Sequence, residues 1–282
     1  MILKDFIPAP DVQAFVQLFR IVHLEFSNTE AIPVKAYPPR PEQCLAFYPY
    51  DRETVEYAAT QKVVRDLPVV LYGQFTQVTN RMIGHRFLVF QIVFLPGALY
   101  QLTGIPSNEL INEYLDGSLF FGNQVHEVNE QLFEAANYEA MIQIGNRFIR
   151  QCIAKAMKPI LPIDWACALL LKSNSSFSLT QLAAQACYSP RQLERKFKER
   201  TGVNPKLFMR IIRFDQAFRQ KNSTPNMEWL SIALECNYHD YQHLVKDYKD
   251  FTGLSPNQFH LIENNAPERQ FGLNEGFYKG VE

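Results

Sequence analysis

The sequence predicts an α+β chain, strand-rich in its first half and all-helical in its second. Three observations carry this reading. Residues 1–125 hold runs dense in Val, Phe, Tyr, Ile and Leu and broken by Pro and Gly, such as KVVRDLPVVLYGQFTQVT and HRFLVFQIVFLPG. Such runs suit the strands of a small barrel or sandwich. KPILPID at 158–164 places two prolines across a helical pattern and marks a boundary. Finally, SPRQLERKFKERTGVNPKLF and DYQHLVKDYKDFTGLSPNQF share a skeleton at a constant offset of 51 residues. Ser189 matches Asp240, Leu193 matches Leu244, Phe197 matches Tyr248, Gly202 matches Gly253 and Pro205 matches Pro256.

Composition bounds the class. With 282 residues, 47% hydrophobic and 20% charged, there is ample core for about two globular domains. No run of 18 apolar residues predicts a membrane span, and the start MILKDFIPAPD does not read as a secretory leader. Five cysteines, an odd number with no C-x-x-C pair, argue against a disulfide framework or a zinc site. The expected location is a reducing cytoplasm. The net charge of −1 hides an asymmetry. Residues 1–174 hold 14 Lys+Arg against 17 Asp+Glu, whereas residues 175–265, which contain the repeat, hold 12 against 9.

In the first half, DVQAFVQLFRIVHLEF reads as a short helix running into a strand, and GALYQLTGIPSNELINEYL as short helices with turns. Residues 138–157 carry one apolar stripe at three- and four-residue spacings: Tyr138, Met141, Ile142, Gly145, Phe148, Ile149, Cys152, Ile153 and Met157. This helix either packs on the strand-rich domain or forms a dimer seam. Asp164 is placed to cap a helix containing Trp165, Leu169 and Leu170.

The repeat builds helix, turn, helix twice. Ser178 and Gln181 have capping-box spacing, and Leu179, Leu182 and Ala183 supply an apolar face. After the turn Ala186-Cys187-Tyr188, Ser189 caps a second helix with Pro190 at its first position. Leu193 and Phe197 point inward and Gly202 ends the helix. In the second copy Trp229, Leu230, Ile232 and Ala233 build the first helix. The turn Cys236-Asn237-Tyr238-His239 is one residue longer, with Asn237 tolerating a left-handed backbone. Asp240 then caps a helix whose Leu244 and Tyr248 face inward. This is the helix-turn-helix plan.

Turning those residues inward fixes the outward face. In the first copy it carries Arg191, Glu194, Arg195 and Lys198, flanked by Lys196 and Arg200; Ser189 and Gln192 open the helix. Arginines so placed can bind guanine edges in a major groove. The second face carries Gln242, Val245, Lys246 and Lys249, with Tyr241 and His243 beside it. Gln suits adenine and Val the thymine methyl. The same faces also fit a solvated surface. From Asn204 and Pro205 a connector helix runs to about Gln220, roughly 24 Å long at 1.5 Å per residue. That length suits two motifs one turn of DNA apart. Arg210, Arg213 and Arg219 on it are phosphate candidates, and surface or core-edge roles fit them equally well.

The phrases LAAQACYSPRQLERKFKERTGVNPKLF and IALECNYHDYQHLVKDYKDFTGLSPNQF resemble the DNA-binding domain of the AraC/XylS family of bacterial transcription regulators. The second carries that family's D-x-x-H-hydrophobic-x-K/R-x-aromatic-K pattern as Asp240, His243, Leu244, Lys246, Tyr248 and Lys249. Asn237 stands where the family usually has Gly, and Leu244 and Tyr248 where it commonly has Phe. The resemblance implies base contacts from Arg191, Glu194 and Arg195 in the first helix and from Tyr241, Gln242 and Lys246 in the second. It also implies an N-terminal regulatory unit, often a cupin-like barrel that senses a ligand or dimerises.

The expected organisation is therefore a strand-rich sensor domain over 1–135 and a linker or dimerisation helix over 136–160. A double helix-turn-helix domain over 161–265 and a loose tail over 266–282 follow. Chemistry is not expected: His23, His85 and His126 are isolated, no catalytic motif is present, and no cofactor or metal is predicted. The barrel interior is a candidate site for an apolar or aromatic effector, with Phe47, Tyr48, Tyr72, Phe75 and Phe90 as walls and Arg81 and Arg86 to pair a carboxylate. The aromatics fit a plain core equally well. The expected partners are double-stranded operator DNA and RNA polymerase, with a homodimer and a small-molecule effector as further options and no membrane.

Overall fold

The computed structural model describes residues 1–156, 158–172 and 178–275. Among the described residues, ten antiparallel strands form two sheets. The larger has six, in the order β1 (Ile2–Phe6), β2 (Val16–Glu25), β9 (Arg86–Phe94), β4 (Gln43–Phe47), β7 (Val69–Tyr72) and β10 (Tyr114–Asp116). The smaller has four, in the order β3 (Lys35–Tyr37), β8 (Thr79–Met82), β5 (Thr54–Tyr57) and β6 (Val63–Val64).

The unbroken apolar runs of the sequence have a simple cause: the six-stranded sheet is covered on both faces, and all five residues of β4 are buried. One face meets the smaller sheet across a core that includes Cys44, Ala46, Tyr48, Val55, Val70, Tyr72 and Val89. The other bears Leu45, Phe47, Phe90 and Ile92, and packs beneath α3 (Gln124–Phe133) and α4 (Tyr138–Ala154). Helix α3 lies inside the span read as strand-rich. The stretch before β2 makes only hydrogen-bonded turns, Phe15 N–H to Val12 O among them, rather than a helix. The phrase GALYQLTG forms α1 (Ala98–Thr103), but the NEYL that follows enters β10.

The apolar stripe of helix α4 packs on the strand-rich domain. Met141, Ile142, Gly145, Phe148, Ile149 and Cys152 are buried within this chain, and Phe148 meets Phe47 edge-on at 5.9 Å. The opposite side is polar, with Arg150 paired to Asp11 at 2.6 Å. The stripe is thus engaged by the barrel. The helix ends at Ala154; Met157, which the pattern included, lies outside the described residues.

The second half is helical. Helices α5 (Pro162–Lys172), α6 (Leu179–Gln185) and α7 (Pro190–Thr201) share one core with the start of α8 (Pro205–Ser223). Helices α9 (Trp229–Glu235), α10 (Tyr241–Thr252) and α11 (Pro256–Glu263) share a second core with the rest of α8. Capping boxes form at Ser178/Gln181 and Ser189/Gln192. Gly202 and Gly253 close α7 and α10 at φ of 90° and 75°, backbone that favours Gly. Cys187 and Asn237 hold equivalent left-handed positions in the two turns. Leu179 and Leu230 face outward rather than inward. Asp164 does not begin α5, which starts at Pro162; it accepts the Leu161 N–H from within the first turn.

The last residues are a clear departure from the expected loose tail. Residues 267–271 form a 3-10 turn after α11, and Glu268 and Glu275 are buried against the barrel. Their lack of periodicity reflects ionic and turn contacts rather than a helix or strand. Residues 276–282 of that tail lie outside the described residues.

Gly145 allows α4 its close approach: a Cβ there would stand 2.7 Å from Phe90 Cζ. Replacing Gly145 by Leu is expected to cost about 1–3 kcal/mol through overpacking, read from chemical denaturation midpoints. An unchanged midpoint would contradict the packing of α4 on β9.

Candidate nucleic-acid interface

Each candidate face is presented by a helix whose inner side is locked. Leu193, Phe197, Leu244 and Tyr248 are at most 1% exposed. Phe197 stacks edge-on with Phe208 of α8 at 5.5 Å, and Tyr248 with Phe214 at 4.8 Å. Outward, Ser189, Arg191, Gln192, Glu194, Arg195 and Lys198 of the first copy are exposed. Among the described residues none of Arg191, Arg195 and Lys198 has an ion-pair partner. Lys196 is half-buried, its ammonium 5.5 Å from the Tyr188 ring.

Arg200 does not belong to this face. It is buried, donates to Asp164 Oδ1 at 2.7 Å and lies over the Tyr100 ring at 3.8 Å. Three residues after Phe197, it follows the inner stripe rather than the outer one. The side chain of Ser107 also donates to its carbonyl, so Arg200 fastens α7 to the N-terminal half.

In the second copy Gln242, His243, Lys246 and Lys249 are exposed, while Asp240, Tyr241 and Val245 are half-buried. Asp240 caps α10: its Oδ1 accepts the His243 N–H at 2.9 Å and lies 2.8 Å from His243 Nδ1. Those hydrogen bonds hold its carboxyl well below the usual range. His239, the extra residue of the longer turn, stands beside it at 3.3 Å.

The connector arginines have protein partners. Arg210 pairs with Asp247 and Asp250 on α10, and Arg213 lies over the Tyr238 ring at 4.8 Å. Arg219 pairs with Asp215 at 2.7 Å and reaches Glu42 of the barrel at 3.5 Å. They brace α8 rather than forming a row free for phosphates. Sequence reasoning missed Lys206, which is exposed at the start of α8 and lines a groove with Met209, Asn237, His243 and Lys246. A second groove, lined by Arg191, Glu194, Arg195 and Lys198, also touches Thr76 and Ile111 of the N-terminal half.

The seven residues expected to line an effector site are not brought together. Phe47 and Phe90 face α4 on the far side of the sheet; period-2 alternation separates each from its sequence neighbours. Arg86 is exposed, over the Tyr50 ring at 4.8 Å. Tyr48, Tyr72 and Phe75 pack in the inter-sheet core. Of the seven, only Arg81 lines the small cavity there, about 60 Å3 in volume, which also touches Arg20, Lys35, Tyr37, Glu53 and Gln91. The signal for these was a polar residue set between apolar neighbours in a strand, as with Arg20 in LFRIV and Gln91 in VFQIV. Arg20 is held by Asp5 and Glu42. Burial opposes the Glu42 charge, yet Arg20 and Arg40 bring its pKa down to about 2.

Comparison with known proteins follows the same division. A family model described as a helix-turn-helix domain matches residues 182–261, and one described as a domain of unknown function, DUF6597, matches residues 4–116. Residues 182–261 are an AraC-type helix-turn-helix domain. An uncharacterized HTH-type transcriptional regulator of Haemophilus influenzae is 32% identical over 93 residues, 33% of this chain and 30% of that protein. The HTH-type transcriptional regulator ArgR of Pseudomonas aeruginosa is 30% identical over 92 residues, 32% of this chain and 28% of that protein. The chain thus spans under a third of the length of these curated relatives. Among solved structures, ToxT of Vibrio cholerae aligns with 86% of this chain and 97% of its own at 10% identity, with a TM-score of 0.47. The DNA-binding domain of AdpA in complex with a target DNA covers 37% of this chain and 95% of its own, at 24% identity and a TM-score of 0.34.

The burial of Arg200 has a measurable consequence. Arg200→Ala is expected to lose about 3–5 kcal/mol of stability by stranding Asp164, and the Asp164→Leu/Arg200→Met pair to regain most of it. Thermal or urea unfolding reads both. A loss under about 1 kcal/mol would contradict a buried ion pair.

Proposed function

We propose that the protein is a sequence-specific transcription regulator whose two recognition helices read consecutive major-groove segments of operator DNA. The observation that carries this reading is the pair of outward faces on α7 and α10, each rigidly backed by α8. In the first, Arg191 and Arg195 are exposed and lack ion-pair partners among the described residues. Arginine in that state is ready for bidentate bonds to guanine O6 and N7. Gln192 and Glu194 extend the first face; Gln242, Val245, Lys246 and Tyr241 form the second. Lys198, Lys196, Lys249 and Lys206 are placed for phosphates, which position the protein and give binding its salt dependence. Ser189 and Asp240 act as caps, and His243 stands on the second face beside its cap.

Helix α8 has 19 residues, about 28 Å at 1.5 Å per residue. That supports two faces about one turn of DNA apart, 34–36 Å centre to centre. A single chain then suffices, and no dimer is needed for two contacts. The N-terminal domain is the regulatory unit: it touches α7 through Ser107 and Tyr100, and α8 and α11 through Glu42 and Lys35. An effector that alters those contacts would change how the reading faces are presented to DNA and to RNA polymerase.

Gel-shift titration against salt tests the reading. Measurable duplex binding that weakens steeply with salt is expected; no binding at low salt would favour a protein-interaction role for the helical half. Arg195→Ala should cost about 1–3 kcal/mol and relax preference at one base pair. Equal weakening on every sequence would contradict base reading. With the buried Arg200 set aside, the first copy has four Lys+Arg in 189–200 against two in 240–251. Alanine at Arg191 and Arg195 should therefore hurt binding more than alanine at Lys246 and Lys249.

A further inference from the structure

The two helix-turn-helix units differ at one point of their backbone. Tyr188 N–H donates to Ala183 O and Tyr238 N–H to Ala233 O, so the two tyrosines are equivalent. Ser189 caps the first recognition helix directly after its tyrosine, whereas His239 is inserted before the cap Asp240. The insertion creates the phrase H-D-x-x-H across the head of α10, His239 to His243. The first unit has no counterpart: Tyr188, Ser189 and Gln192 stand in those places.

The three side chains converge. His239 Nδ1 lies 3.3 Å from Asp240 Oδ2, and His243 Nδ1 lies 2.8 Å from Asp240 Oδ1. One ligand-type atom from each of the three lies within 4.8 Å of the other two. The imidazoles meet edge-on, with ring centroids 5.7 Å apart. Both are exposed, and among the described residues neither has a hydrogen-bond partner other than Asp240. Asp240 divides its oxygens: Oδ1 accepts the His243 N–H and caps the helix, while Oδ2 has only His239 beside it. An ion on Oδ2 therefore leaves the cap in place.

Spacing and donor type agree on the ion. Bonds of about 2.0–2.1 Å in a tetrahedral site put ligand atoms roughly 3.3–3.4 Å apart. The His239–Asp240 separation already has that value. The exposed ring of His243 can reach the same point by rotation about its side-chain bonds. Two imidazoles and one carboxylate suit zinc, nickel or copper and leave a fourth position open. The other convergent set, Glu263, Glu268 and Glu275, is all carboxylate and already holds Lys35 and Arg40. Lys206 and Lys246 share a groove with His243 and oppose a cation, which limits the strength of the H-D-x-x-H site.

We propose that His239, Asp240 and His243 bind one divalent transition-metal ion of the zinc class, and that the ion adds positive charge to the head of the second reading face. Residues 240–251 hold two Lys+Arg against three Asp+Glu. A doubly charged ion on Asp240 reverses the sign at the end of α10 that carries Gln242, and so favours approach to phosphate. The metal site stands on its own geometry; its effect on DNA rests on the proposed reading of the second face.

The test is titration of the untagged full chain with zinc against a chromophoric chelator. One equivalent bound with micromolar affinity is expected. His239→Gln and His243→Gln should each weaken it at least about tenfold through loss of a ligand. Cys187→Ser, which removes the exposed thiol, should not. Zinc binding that is absent, or that survives both glutamine variants, overturns the proposal. Gel shifts with and without zinc read the second claim. Zinc should tighten duplex binding at least about threefold for the unaltered chain and not for His239→Gln. No gain on a duplex that the chain binds overturns the charge effect. Zinc binding without duplex binding under any condition would sink the DNA reading and leave the metal site standing.

Discussion

Helix α8 sends side chains into two separate cores, and the rest of the helical half is arranged by that sharing. Phe208 and Ile212 enter the first core, while Ile211, Phe214, Ala217 and Phe218 enter the second. A helix-turn-helix unit of three short helices buries little apolar surface alone. Here each unit borrows one end of the same rigid rod. The separation of α7 and α10 is then a property of packing rather than of a linker, and neither can reorient without opening a core.

The same economy operates between the halves. The C-terminal domain is joined to the barrel by directed polar contacts: Arg200 with Ser107 and the Tyr100 ring, Arg219 with Glu42, and Lys35 with Glu263 and Glu268. Val78 N–H also donates to Phe251 O at the end of α10. Buried ionic contacts of this kind have strict geometry and contribute little net stability over apolar packing. They suit an interface that must hold one arrangement yet remain sensitive to a change in charge at the barrel.

Much of the helical half was legible because its signals are local. Caps at Ser178, Ser189 and Asp240, inward Leu–aromatic pairs and closing glycines each act within one turn of helix. The left-handed Asn237 follows from residue type; Cys187 in the same role does not, and only its equivalence to Asn237 reveals it. Arg200 was misplaced because charge suggested the outer face, whereas its spacing from Phe197 puts it inside. In the barrel the strands were legible but the partners across them were not. Alternation separates Phe47 from Tyr48, and no local pattern tells which of the two faces a cavity. The ordering of residues 266–275 was illegible for a related reason: its contacts run to Lys35 and Arg40, over 220 residues away, and leave no period in the sequence.

The central claim is that one chain presents two unequal reading faces at a fixed spacing set by α8. Selection of bound sites from random-sequence duplex DNA tests it most directly. The account predicts two short enriched motifs with centres about one helical turn, 10–10.5 base pairs, apart, the stronger one lost with Arg191 and Arg195. A single motif, a variable spacing between two, or no enrichment at all would contradict it.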